Sequence, residues 1–121
     1  MLAILRATDS LERVVITSLE AFVLRRLRRL EPELRTGLGI TEVTEFLLNS
    51  RSTREYRPAG GHLQIPAWLA TPSVIERSHR AGLSVTVFTL DDEDRWRALI
   101  DRGVDGLITN RPADLARFLD R

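Results

Sequence analysis

A chain of 121 residues and 13.7 kDa has room for one hydrophobic core of useful size and not for two. Its 18 basic residues are all arginine and face 17 acids, so a net charge of +1 creates no field that would gather nucleic acid. The lack of cysteine excludes disulfides, thiolate metal sites and cysteine nucleophiles; the lack of lysine excludes Schiff-base chemistry and a Walker-type phosphate lysine. No apolar run approaches the roughly 18 residues of a membrane span. The opening Met-Leu-Ala-Ile-Leu-Arg has neither the long apolar stretch nor the cleavage site of a secretory signal, so the expected compartment is the cytoplasm.

Along the chain, short apolar runs alternate with longer amphipathic ones. Arg13 to Ser18 is a β-branched run of strand length. Glu20 to Leu30 follows with Val23, Leu24, Leu27 and Leu30 at helical spacing and arginines around the remaining turn. Pro32 ends that helix, Leu34 to Ile40 reads as a second strand, and Thr41 caps a helix carrying Val43, Phe46 and Leu47. Asn49 to Gly61 has no periodicity and is rich in Ser, Arg, Pro and Gly. His62 to Ile65 is a short strand candidate. Thr71-Pro72 opens a helix that runs to Ala81 and stops at Gly82. Ser84 to Leu90 is the clearest strand; Asp91 starts a helix with Trp96, Leu99 and Ile100, closed by Gly103. Asp105 to Thr109 is a final strand, and Pro112 opens a last helix through Leu115, Phe118 and Leu119.

Strands thus begin near residues 13, 34, 62, 84 and 104, which makes five βα units. Such alternation predicts an α/β protein with a parallel sheet and right-handed crossovers. A doubly wound open sheet and a piece of a (β/α)8 barrel both accept it. An open sheet of the receiver type would need a lysine after its last strand, and the chain has none.

The string Ser73 to Asp91, followed by Gly103-Val104-Asp105-Gly106-Leu107-Ile108-Thr109-Asn110-Arg111-Pro112, closely resembles the C-terminal end of glycerophosphodiester phosphodiesterases. That family carries a strand ending Trp-Thr-Val-Asn/Asp and then Gly-Val-Asp-Gly-Ile-x-Thr-Asp-x-Pro. Val14 to Leu19, Leu34 to Gly39 and Leu63 to Pro66 resemble its preceding strands. The resemblance covers residues 11–120 and implies a partial TIM barrel, five units corresponding to strands four to eight, in one domain spanning 1–121. For complete members it implies metal-dependent hydrolysis, with magnesium or calcium, of a glycerophosphodiester to glycerol 3-phosphate and an alcohol. The family's His-Arg-Gly, Glu-x-Asp and Glu-x-Lys motifs, on strands one to three, have no counterpart here. No catalytic or metal residue carries over, and the chain is expected to bind no cofactor and to be inactive alone. Leu19, Phe88 and Asn110 stand where the family has Phe, Trp and Asp.

In a barrel, strand ends carry the site. Those positions are Ser18, Gln64, Phe88, Asp91, Thr109, Asn110 and Arg111. Ser18, Gln64, Phe88, Thr109 and Arg111 are the substrate-contact candidates: Phe88 as a wall for the alcohol, Arg111 beside a helix N-terminus for a phosphate. Plainer readings stand beside these, a strand-end core aromatic and a solvated loop arginine. Asp91 to Asp94 read as helix-start acids that fan around the axis rather than as a metal cluster. His62 reads as a surface histidine, His79 as a helix-end cation, Arg25 to Arg29 as a solvated face, and Trp68 and Trp96 as packing residues. An unclosed barrel segment leaves two edges and its inner face bare, so Val15, Val87 and Leu107 or their neighbours are expected to face solvent. The chain should then associate with itself or with an N-terminal half-barrel, without nucleic acid or membrane.

Overall fold

The computed structural model describes residues 1–39 and 61–120. The helix expected after Thr41, with Glu42 and Glu45, and the Pro/Gly-rich stretch up to residue 60 lie outside them. The described strands are β1 (Val15–Ser18), β2 (Arg35–Gly39), β3 (His62–Pro66), β4 (Ser84–Phe88) and β5 (Gly106–Leu107). They pair in parallel in the order β1-β2-β3-β4-β5, so strands adjacent in sequence are adjacent in the sheet. This is the order expected of a barrel; a doubly wound sheet would reverse direction at an interior strand.

Helices α1 (Leu2–Ala7), α2 (Ala21–Leu30), α3 (Pro72–Arg80), α4 (Glu93–Asp101) and α5 (Pro112–Leu119) complete the described elements, with single 3-10 turns at Leu11–Arg13 and Ala67–Leu69. Their ends follow local chemistry. Thr71 Oγ1 accepts the Val74 N–H at 3.3 Å ahead of Pro72, and Asp92 Oδ1 accepts the Arg95 N–H at 2.9 Å. Gly82 and Gly103, at φ +78° and +88°, close α3 and α4 in the left-handed conformation that a side chain would strain.

Side-chain alternation divides the sheet. In register, Leu38, Leu63 and Val85 form one row and Ile65, Val87 and Leu107 the next. Leu63, Ile65, Val85 and Val87 are completely buried, packed with Leu24 of α2, Ile75 of α3, Trp96 and Leu99 of α4 and Leu115 of α5. The opposite rows read Thr17, Gly37, His62, Ser84 and Gly39, Gln64, Thr86, Gly106. None of the described helices packs on that face in the core cluster, and apart from Val15, Pro66 and Phe88 at its margins its residues are small or polar. Its glycines are crowded: a Cβ on Gly37 would lie 2.9 Å from Thr17 Cγ2, and one on Gly106 2.8 Å from Thr86 Oγ1. Threonine side chains lean over the glycines and tile the surface.

Several expectations change in detail. Val15 is exposed as expected, but Val87 is fully buried and Leu107 half-buried on the helix side; the open face presents their neighbours Thr86 and Phe88 in their place. Helix α1 falls on the opening segment, to which no element was assigned; although five of its six residues are apolar it buries none of them, and Arg6 ties it to Glu31 at 2.9 Å. Helix α4 begins at Glu93, because Asp91 is engaged elsewhere, and β5 is two residues long. Trp96 is buried as expected, whereas Trp68 is 61% exposed.

Candidate functional site at the strand-end rim

Asp91 lies just past β4 and holds the segment that follows β5. Its Oδ1 accepts the Asn110 N–H at 2.8 Å and the Thr109 hydroxyl at 3.0 Å, while Oδ2 accepts the Asn110 side-chain amide at 3.0 Å. The Asn110 backbone N–H, foremost, and then the Asn110 amide and Thr109 hydroxyl hold this carboxyl below the usual carboxylate range. Thr109 Oγ1 in turn accepts the Arg111 N–H at 3.0 Å. Arg111 donates to the Asp91 carbonyl at 2.6 Å and to Asp114 Oδ2 at 2.9 Å, with its guanidinium 5.6 Å from the Trp96 ring centroid. Trp96 Nε1 donates to the Leu90 carbonyl at 2.7 Å. Asp114 is also kept well ionised, first by Arg117 and then by Arg111. The ends of β4 and β5 and the start of α5 are thereby one hydrogen-bonded assembly.

The other rim candidates are spread out. Gln64 and Phe88 are half-buried on the open face, Gln64 between Gly39 and Thr86 and Phe88 opposite Pro66 at the end of β4, before a cis Phe88–Thr89 peptide. Ser18 sits in the opposite row at the β1 edge, with three strands between it and β5, and its Oγ accepts the Glu20 N–H at 3.0 Å. Thr109, Asn110 and Arg111 are therefore brought together with Asp91, Gln64 joins Phe88 on the open face, and Ser18 joins neither group. Sequence reasoning placed Asp91 at a strand end but read it as a helix-start acid, and so missed its role as organiser. One acid suffices to cap α4, and that surplus, read with the Thr109-Asn110 donors, was the available signal.

Both histidines belong to the other end of the sheet. His62, the first residue of β3, is half-buried against Ser84 Oγ, a contact between its Nδ1 and that hydroxyl. Burial first and the Arg35 charge second push its pKa down. The surface position expected of it is thus corrected: its strand neighbours cover it. His79 Nε2 lies 2.7 Å from Asp105 Oδ2, which also accepts the Val85 N–H at 2.7 Å. Among the described residues no three His, Asp or Glu side chains converge in a way that would hold a metal ion.

A sequentially ordered parallel sheet, helices packed on one face and polar loops collected at the strands' C-terminal ends define an α/β protein of the kind whose chemistry resides at that rim. The model of the glycerophosphoryl diester phosphodiesterase family matches residues 2–114, and the chain belongs to that family. It is 28% identical over 112 residues to a glycerophosphodiester phosphodiesterase of Caldanaerobacter subterraneus subsp. tengcongensis, covering 89% of this chain and 43% of that one. A solved structure from Silicibacter pomeroyi assigned to the same family superposes with a TM-score of 0.81 at 26% identity, over 98% of this chain and 41% of the other. A phosphodiesterase of Oleispira antarctica, solved with the product sn-glycerol-3-phosphate, shares the fold with a TM-score of 0.73 at 19% identity, over 88% of this chain and 42% of its own. The chain spans less than half the length of each. No helix among the described residues is long and apolar enough to cross a membrane.

Proposed function

We propose that this chain is the C-terminal five-unit portion of a glycerophosphodiester-hydrolysing barrel, equivalent to strands four to eight. On this reading it forms the substrate side of a site whose metal and proton-transfer groups come from three further strands. The supporting observation is the uninterrupted order β1 to β5, which leaves β1 and β5 as the two edges at which a barrel would continue. Phe88 offers an apolar wall for the alcohol and Gln64 a polar contact on the open face. Thr109 and Arg111, braced by Asp91, face the phosphodiester beside the α5 N-terminus, and Ser18 lies toward the strand that would precede β1. The magnesium or calcium implied for complete members is not matched by the described residues. Asp91 has both oxygens occupied, and the histidines lie at the opposite end. A cytoplasmic location and a partner supplying the first three strands complete the reading.

The test is an assay of the purified chain with glycerophosphocholine and magnesium or calcium. The expected result is no release of glycerol 3-phosphate, with metal-dependent turnover appearing when the first three strands are supplied as a second polypeptide. Chelator-sensitive turnover by the chain alone would overturn the division of labour.

A further inference from the structure

On the helix side, away from the open sheet face, a cleft of about 370 Å³ lies between the turn after β3 and helix α4. Helix α4 and its cap present Arg95, Ala98, Leu99 and Arg102 to it, spaced as one stripe down the helix, and Ala67, Trp68 and Leu90 stand opposite. The floor is apolar, since Leu90 and Leu99 are 1% and 4% exposed, while the Trp68 indole stands 61% exposed beside it. Ala98, small and exposed, leaves the middle of the stripe open.

The charge in this cleft is positive. Arg102 donates to the Ala70 carbonyl at 3.0 Å, which fixes its direction, and makes no ion pair with a carboxylate among the described residues. Among the described residues Arg95 pairs loosely with Asp92, 3.5 Å from the Oδ2 that the cap leaves over. The volume corresponds to roughly a dozen water molecules, which suits a small molecule and is too little for a helix or strand of another protein. An apolar floor, one aromatic wall and two arginines along its side form the usual pattern of a small-ligand site.

We propose that this cleft binds a small amphiphilic anion, its apolar body between Trp68 and Leu99 and its acid group on Arg102 and Arg95. The cleft is separate from the open face used in the hydrolase reading, although Ala67, Trp68 and Leu90 follow the C-terminal ends of β3 and β4.

The experiment titrates the intact chain with 1-naphthyl phosphate and follows the two indole N–H resonances by NMR, the Trp68 signal being assigned with Trp68→Phe. A saturable shift of the Trp68 signal is expected, with inorganic phosphate and 1-naphthol each binding far more weakly. Arg102→Gln should weaken binding about tenfold, the loss of one charge-assisted hydrogen bond. Ala98→Leu should abolish binding while leaving thermal unfolding unchanged, and it decides the matter if Arg102→Gln fails to fold. An absent or non-saturating shift, or binding indifferent to Ala98→Leu, would overturn the site.

Discussion

At the scale of single residues, Asp91 does the most for the rim. Its carboxyl ionises more readily folded than unfolded, so the stability it adds is complete above the unfolded pKa and is lost as the pH falls through the folded one. Asp91→Ala should therefore lower the melting temperature near neutral pH and flatten its decline in acid. It should also speed hydrogen exchange at the Asn110 amide; an unchanged exchange rate would deny Asp91 its organising role. Thr36 presents the opposite case. It is 1% exposed, in the row that packs against the helices, and its hydroxyl finds no hydrogen-bond partner among the described residues. Thr36→Val should stabilise the chain by about 1 kcal/mol in chemical denaturation, because a buried unsatisfied hydroxyl costs that much or more.

At the scale of elements, helix ends carry testable energies. Removing the α4 cap with Asp92→Ala should cost about 1 kcal/mol, and Asp92→Asn much less, since an asparagine oxygen still accepts the Arg95 N–H. Gly103→Ala should also cost about 1 kcal/mol: a Cβ there meets nothing within 4 Å, so the penalty comes from the φ of +88° alone. Both follow from equilibrium unfolding of the purified variants. These devices were legible because they are local: Thr71-Pro72, Gly82 and Gly103 announce their turns within a few residues. The β-branched runs of β1 and β4 were equally plain. Helix α1 was not, since the Arg6–Glu31 pair that holds it joins residues far apart in the sequence. The short β5 escaped for a related reason, as Asp91 draws Thr109 and Asn110 out of the strand through tertiary contacts. The face occupied by Val87 depended on register: shifting the alternation by one residue exchanges the buried and open rows, and no local pattern chose between them.

At the scale of the molecule, the sheet has an open face and two edges. Apart from Phe88 near the rim, its central open rows are threonine, serine, glycine, glutamine and histidine, so association has little apolar area to use there. The β1 side is different: Val15, Leu19 and Phe22 are 39%, 66% and 62% exposed. The chain is expected to associate through that edge, with light scattering showing species above monomer mass at high concentration. Val15→Lys, which sets a charge on the edge strand, should shift the population toward monomer. A wild-type monomer at every concentration, with sharp two-state melting, would refute the expectation. Of the rim, Thr109 to Arg111 were readable from the family's closing motif and Ser18, Gln64 and Phe88 from the ends of the predicted strands. The split of Gln64 and Phe88 from Ser18 was not, because it depends on which way each side chain leaves the sheet.

The sequential strand order also governs how the chain emerges during synthesis. Each strand after the first pairs with one already made, so each new unit has a finished edge waiting as it leaves the ribosome. No strand must be held back for a later insertion between two others. Loop closure then involves one unit at a time, the cheapest case for a parallel sheet. Growth can stop after any unit and leave the earlier pairings intact, so the fold is extendable by addition at either edge.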